Sequence, residues 1–501
     1  MFYTPALKQR GVFHRCPLSE AVRVRIAPSP TGTLHVGTAR AALYNYLYAK
    51  RTKGTFFLRL EDTDEERSRE AYTQDILDGL HWLGLHWEEG PDVGGPFAPY
   101  KQTEKLDHYL VIANELEKQG KAYWAWETPE ELNALREQQK SANDAPRYDN
   151  SGRNISPEQI EKYKAEGRKP SLRFKIDDNE AVSWVDAIRG EITINASELG
   201  GDMVIVKSNA VAIYNFAVVV DDIDMEITQV IRGEDHISNT AKQILIYKAL
   251  GKKMPEFAHV PLMQDIERHK LSKRKHGEAV HVDSYRRKGY MPEAIVNYLA
   301  QMSWTPADGK EIFTLEEAGE MFDMSKVSKS AAVFDLQRLN WFNGHYIRSL
   351  PLSLVTERAK AFLDPDQIKS FTDQQLEEIV ASVREGLTTL AEIKEPTNFY
   401  FANELEIPVE VRETVLGPAS ARQVLEKTLQ HLAQMPWSDS KGCKDAINNI
   451  GKELSLKGQA LYFPLRAALS AKTKGPDLGT MFSVLGEKQV KARIESAMGL
   501  C

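Results

Sequence analysis

Apolar and basic residues alternate over Val22–Pro28 (VRVRIAP), the period-two signature of a strand. Residues 39–50, ARAALYNYLYAK, switch to an alanine- and leucine-rich helical pattern. GTFFLRLEDTD (Gly54–Asp64) predicts a second strand ending in carboxylates, and REAYTQDILDGLHWLGL (Arg69–Leu85) a second helix. Strand, helix, strand, helix in this order predicts a parallel, doubly wound sheet. From about 106 to 207 the pattern breaks. A helix, KLDHYLVIANELEKQG, gives way to polar sequence and then to the β-like SLRFKI and GEITIN, so an inserted α+β domain is expected. The sheet resumes around Tyr214–His236. There FAVVVDD fits both a buried strand and the apolar part of a helix, and periodicity leaves the two open. ITQVIRG and FAHVPLM predict further strands, and NTAKQILIYKALG a helix with a glycine stop. From about 346 onward apolar residues recur three and four apart, predicting an all-α region. The expected segments are 1–21, 22–105, 106–207, 208–270, 271–347 and 348–501.

Composition narrows the class. Of 501 residues, 42% are hydrophobic and 27% charged, as in a folded, soluble protein. The net charge of −7 excludes general nucleic-acid attraction and leaves room only for a local basic face. No run of about 18 apolar residues predicts a membrane span. Cys16, Cys443 and Cys501 are too few and scattered for a disulfide framework or a cysteine zinc site, which favours a reducing interior. The first twenty residues carry Lys8, Arg10 and Arg15 against one acid, Glu20. They are short and serine-poor, so a flexible extension over 1–21 or a misplaced start codon is expected rather than an organellar address. Lys452, Lys457, Lys472, Lys474, Lys488 and Lys491 read as a solvated face.

Two segments carry candidate chemistry. In RIAPSPTGTLHVGTARAALYNYLYAK (Arg25–Lys50), Pro28 and Pro30 stiffen a turn, and Gly32 and Gly37 permit close approach to the backbone. His35 stands just before a helix N-terminus, whose free N–H groups suit phosphate. In ERHKLSKRKHG (Glu267–Gly277), Lys270, Lys273, Arg274 and Lys275 crowd around Ser272 and offer positive charge to a polyphosphate. Alone, the first is an ordinary turn and the second a surface charge run. Paired across an inserted domain, they resemble the HIGH and KMSKS motifs of class I aminoacyl-tRNA synthetases. With FLRLEDTDEERS, YNFAVVVDDIDMEITQVIRGEDHISNTAKQ and VSKSAAVFDLQRLNWFNGHYI, the likeness narrows to the bacterial-type glutamyl-tRNA synthetase family, from about Val22 to Ile347 and more weakly beyond.

That resemblance implies a Rossmann-type catalytic sheet (22–105 and 208–270), an acceptor-stem-binding insert (106–207), a KMSKS loop and stem-contact region (271–347) and a helical anticodon-binding region (348–501). It implies activation of L-glutamate by ATP and Mg2+ and transfer of the glutamyl group to tRNA(Glu), with tRNA present during activation. His35 and Lys273 become the catalytic charge stabilisers. Pro28, Gly37, Thr38, Lys270, Leu271, Ser272, Lys273 and Arg274 become the ATP contacts. A glutamate pocket must hold one ammonium and two carboxylates. Arg25 is expected at the γ-carboxylate, Arg232 at the α-carboxylate or shaping the site, Glu61 at the ammonium, and Ser29 and Tyr214 as hydroxyl donors. Outside the family, Arg25 reads as a solvated strand residue and Glu61 and Asp62 as helix caps. A cytoplasmic monomer is expected.

Three departures from the family pattern stand out. Thr38 occupies the place of the second HIGH histidine. AYWAWETPEEL and PRYDNSGRN contain neither cysteine nor histidine where some relatives bind zinc, so no zinc and no protein-held metal site is expected, Mg2+ entering only with ATP. Gly386, in VREGLTTLAE, aligns with an arginine that reads the third anticodon base in members rejecting tRNA(Gln), so tRNA(Gln) is an expected second partner. The rival readings are a glutaminyl enzyme, disfavoured by RLEDTD and PSPTG; a glutamyl-queuosine tRNA(Asp) synthetase, disfavoured by the roughly 150 residues after Ile347; and a non-catalytic tRNA-binding paralogue, disfavoured by intact His35, Lys273, Arg25 and Glu61.

Overall fold

The computed structural model describes residues 21–64 and 66–500, so the expected extension, apart from Ala21, lies outside the described residues, as do Cys16 and Cys501. The chain folds as two compact units. One comprises the residues up to Val280 together with Leu299–Phe334; the other comprises His281–Tyr298 and the residues from Asp335 onward.

The first unit opens as the pattern predicts. β1 (Arg23–Ile26) pairs in parallel with β2 (Thr55–Leu58), and α1 (Val36–Thr52) connects them. Phe56, Phe57 and Leu58 are buried, as are Leu43, Tyr44 and Leu47 of α1, which is the apolar burial that fixes this βαβ start; Tyr44 packs on Phe322. α1 begins three residues earlier than the alanine-rich stretch suggests, because the His35 ring takes the capping role usually filled by Ser or Asp: its Nδ1 accepts from the Gly37 N–H at 3.0 Å. After α2 (Glu70–Trp82) come α3 (Leu106–Lys118), β3 (Ala122–Ala125), α4 (Pro129–Ser141), α5 (Pro157–Ala165), β4 (Ser171–Phe174), the hairpin β5 (Ala181–Asp186) and β6 (Gly190–Asn195), and β7 (Met203–Val206).

The apolar run left open by periodicity is a helix, α6 (Tyr214–Asp224). Phe216 to Val220 are all buried, so the helix has no polar face over that stretch, and a continuous apolar run is what either structure would write. β8 (Gln229–Gly233), α7 (Ile237–Leu250) and β9 (Glu256–Val260) complete the second crossover, with β8 and β9 parallel over Gln229↔Glu256 to Gly233↔Val260. β1 adjoins β8 where the Arg23 N–H donates to Thr228 Oγ1 (2.8 Å) and the Thr228 N–H to the Arg23 carbonyl (3.1 Å). FAHVPLM continues from β9 into β10 (Met263–Gln264), which pairs in parallel with β11 (Ala332–Val333).

The strands of the expected insert divide between two sheets. β3, β4 and β7 form a separate antiparallel sheet, whereas the β5–β6 hairpin extends the sheet of β8 and β9 in the order β6–β5–β9–β8, with β5 parallel to β9 at Asp186↔Phe257. In β5, Val182, Trp184 and Asp186 are buried on one face while the alternate residues are exposed. The segments AYWAWETPEEL and PRYDNSGRN contribute to a polar network: Tyr148 donates to Glu127 (2.6 Å), Tyr123 to Asp202 (2.7 Å), and Arg153 pairs with Asp202.

The second unit is helical. Helices Ala419–His431, Ser440–Glu453, Gln459–Ser470 and Leu478–Met498 enclose a core that includes Leu425, Ile447, Leu465 and Phe482. Helix Leu336–Ser349 runs across the expected boundary at 347/348. The six lysines read as a solvated face are exposed. Among the described residues no helix is long and apolar enough to cross a membrane.

Candidate active site

A cavity of about 330 Å3 opens beyond the carboxyl ends of β1 and β8, where a doubly wound sheet places its ligands. It gathers most of the residues singled out in the sequence: Arg25, Pro28, Ser29, His35, Gly37, Thr38, Glu61, Tyr214, Arg232, Lys270 and Leu271 all line it. Ser272, Lys273 and Arg274 do not. The Lys273 ammonium nevertheless sits against the turn before α1, where a Cβ placed on Gly32 would meet Nζ at 2.2 Å. The two candidate motifs therefore meet in space. Gly386 lies in the second unit, in the exposed turn Arg384–Gly386.

The helix cap also fixes a tautomer. With His35 Nδ1 accepting from Gly37, a neutral ring carries its proton on Nε2, leaving that nitrogen a donor. Thr38 is in the first turn of α1, half-buried and facing the cavity.

Beneath the cavity floor lies a charge network. Asp222 accepts from Arg25 Nε (3.1 Å) and Nη2 (3.0 Å) and from Arg59 Nη1 (2.8 Å). Arg59 also donates to Glu61 (3.2 Å) and approaches Asp221, which is itself held by Tyr109, Gln102 and Lys105. Burial opposes charge on Asp222, yet the flanking Arg25 and Arg59 guanidinium groups hold its carboxyl below the usual range. Glu61 is different: burial pushes it up to about 7, with Arg59 and Arg25 opposing only in part. Neither Arg25 nor Glu61 takes the ordinary reading. Arg25 is buried, Glu61 is tied to Arg59, and Asp62 accepts from the Thr103 N–H and hydroxyl rather than capping α2.

Sequence reasoning passed over Arg59, Asp221 and Asp222. A signal was present. Arg59 follows three apolar strand residues in FFLRLED, and two adjacent aspartates close FAVVVDD; charges set inside apolar runs are buried and paired when the run is buried.

Arg232 contrasts with Arg25. Its guanidinium donates to Thr240 Oγ1 (2.6 Å), Gln243 Oε1 (2.7 Å) and the Tyr214 hydroxyl (3.3 Å), and its Nε approaches His259 Nε2 (3.5 Å). All are neutral acceptors, so a buried guanidinium faces the cavity without a hydrogen-bonded carboxylate among the described residues. Nearby, burial and Arg232 push His236 down to about 4, which keeps that ring uncharged at neutral pH.

A parallel sheet whose first helix is capped by a histidine, with a basic loop folded back onto the same turn, is the arrangement of a class I aminoacyl-tRNA synthetase. Residues 21–341 match the family described as tRNA synthetases class I (E and Q), catalytic domain, and residues 354–498 match the anticodon binding domain family. The chain is 45% identical to the glutamate–tRNA ligase of Carboxydothermus hydrogenoformans, over 94% of this chain and 99% of that one. It is 44% identical to the glutamate–tRNA ligase of Synechocystis, over 93% and 97%. A crystal structure of a glutamate–tRNA ligase from Elizabethkingia meningosepticum in complex with its amino acid superposes with a TM-score of 0.84 at 32% identity, covering 96% of this chain and 99% of that one. The chain belongs to the class I E-and-Q tRNA synthetases and, within them, to the glutamate–tRNA ligases.

Proposed function

We propose that this chain joins L-glutamate to ATP, forming glutamyl-adenylate with release of pyrophosphate, and passes the glutamyl group to the 3′ end of tRNA(Glu) and also of tRNA(Gln). One observation carries the reading: a single cavity holds an unneutralised guanidinium (Arg232), a carboxyl able to ionise (Glu61) and a helix N-terminus capped by His35. Arg232 receives a carboxylate of the substrate, Glu61 its ammonium, and Tyr214 and Ser29 supply hydroxyls. With Asp222 occupying two Arg25 nitrogens, we assign Arg25 mainly to shaping the floor and Arg232 to carboxylate binding, a change from the division of labour suggested by the sequence.

The nucleotide lies along the start of α1, its phosphates toward Gly37, Thr38 and the basic loop. Mg2+ arrives with ATP as its counterion. His35 Nε2–H and the Lys273 ammonium stabilise charge as the α-phosphorus is attacked and pyrophosphate leaves. Positioning supplies the rest of the rate. A cytoplasmic monomer goes with this reading.

Gly386 supports the second tRNA. Glycine offers no side-chain contact to a base, and a Cβ added there meets nothing within 4 Å, so the backbone leaves open space at the point where a side chain would start. Purified enzyme is expected to charge a tRNA(Gln) transcript with glutamate. Gly386→Arg is expected to lower that charging about 5–150-fold relative to tRNA(Glu), the worth of one bidentate base contact. No charging of tRNA(Gln) by the native enzyme would sink this part of the proposal, and no charging of either tRNA would sink the whole.

Glu61 gives a pH signature. The substrate ammonium needs the ionised carboxylate, whereas at pH 6 a group with pKa near 7 is mostly protonated. The glutamate KM is therefore expected to fall roughly tenfold from pH 6 to pH 8. A KM that is flat across this range removes Glu61 from ammonium binding.

A further inference from the structure

Three buried residues outside the cavity lining converge on Arg232. Asp186, at the end of β5, accepts backbone N–H groups of Ile188 (3.0 Å), Arg189 (2.9 Å) and His259 (3.2 Å) on Oδ1, and faces His259 Nδ1 at 2.5 Å through Oδ2. His259 Nε2 lies 2.8 Å from Thr240 Oγ1, and that oxygen accepts from Arg232 Nη2. Asp186, His259 and Thr240 are all at most 1% exposed.

The direction of this chain follows from donor chemistry. A carboxylate only accepts, so the proton between Asp186 and His259 belongs to Nδ1. Burial disfavours a second proton on the ring, despite the Asp186 bond that favours it. Nε2 is then a lone pair, and the Thr240 hydroxyl must donate to it. That turns the hydroxyl's own lone pairs toward Arg232. Without the acceptor at Nε2, the same hydroxyl has an alternative one turn back in α7, the His236 carbonyl at 3.2 Å. With a proton on Nε2, that N–H would also face the Nε–H of Arg232.

We propose that Asp186, His259 and Thr240 are positioning residues that aim the Arg232 guanidinium and thereby set the affinity for glutamate. The proposal rests on the reading of Arg232 as the carboxylate-binding residue. It also gives the β5–β6 hairpin, which lies within the sequence segment expected to bind the acceptor stem, a part in amino-acid recognition. A purely structural Asp186 would need only its backbone contacts at the hairpin turn; the continuation through Nε2 and Thr240 to a cavity-lining cation is what assigns the further role.

The test measures KM and kcat for glutamate and for ATP in the complete charging reaction with tRNA. Thr240→Val, which removes only the hydroxyl link, is expected to raise the glutamate KM about tenfold or more and leave the ATP KM within about twofold. Thr240→Ser is expected to return it to within about threefold. In Asp186→Asn the side-chain amide donates to Nδ1 and drives the proton to Nε2, with a matching rise in glutamate KM. Arg232→Lys separates the two ideas. If it raises the glutamate KM tenfold while folded Thr240→Val and Asp186→Asn leave it within twofold, the chain is overturned and the Arg232 reading stands. If Arg232→Lys leaves it unchanged, that reading fails. Histidine 15N shifts of the native enzyme decide where a variant does not fold: a proton on Nδ1 of His259 supports the chain, and one on Nε2 overturns it.

Discussion

Asp222→Ala is expected to cost about 3–5 kcal/mol of stability, read as a fall in the urea midpoint of the first unit's unfolding transition. The carboxylate is the hydrogen-bonded counterion for two buried guanidinium groups, those of Arg25 and Arg59, and Arg59 is fully inaccessible. Removing it leaves Arg25 without its bidentate partner and Arg59 with only Glu61 and Asp221, of which Glu61 is only partly ionised at neutral pH. The pH dependence has a definite sign. Asp222 sits below its ordinary value, so the stability it lends is complete above the unfolded-state pKa near 4 and is lost as pH falls toward the depressed folded value. A loss under 1 kcal/mol would mean that the two arginines find other counterions and that the network is not organised around Asp222.

Lys273→Ala is expected to lower the rate of tRNA-dependent ATP–pyrophosphate exchange about 10²–10³-fold, with the glutamate KM within about threefold. Lys273 is exposed, so the substitution removes charge and little packing. Its ammonium rests against Gly32, in the turn that leads to His35, on the side of the cavity to which the proposed function assigns the phosphates. A change in glutamate KM with unaltered maximal rate would instead place Lys273 in substrate binding, and unaltered kinetics would leave the loop's effect to Lys270 and Arg274.

The sequence made part of this legible for physical reasons. The β1–α1–β2–α2 start shows because short apolar segments alternate with longer helical patterns, even though β1 and β2 are buried on both faces. The cavity residues at the strand ends are legible as paired motifs. The partner of Arg25 is not, because Asp222 lies 197 residues away on a helix whose apolar run carries no period. Nor is the membership of β5 and β6. Alternation reveals a half-buried strand but not which sheet its edge joins, and only Asp186↔Phe257 pairing decides that. Arg59 was hidden for a related reason: a charged letter in a strand suggests solvent unless its counterions are known, and these come from α6 and from Glu61 two residues on.

The junction of β1 with β8 bears on how the chain is made. The hydrogen bonds there join residues 205 positions apart. At about 5–20 residues per second of synthesis, roughly 10–40 s pass between the emergence of one partner and the other. During that interval only the β2 partner of β1 is available, and an unpaired edge of VRVRI would be an open template for strand addition. Arg23 and Arg25 place charge within that segment, which disfavours such pairing before Glu89 and Asp222 are there to meet them.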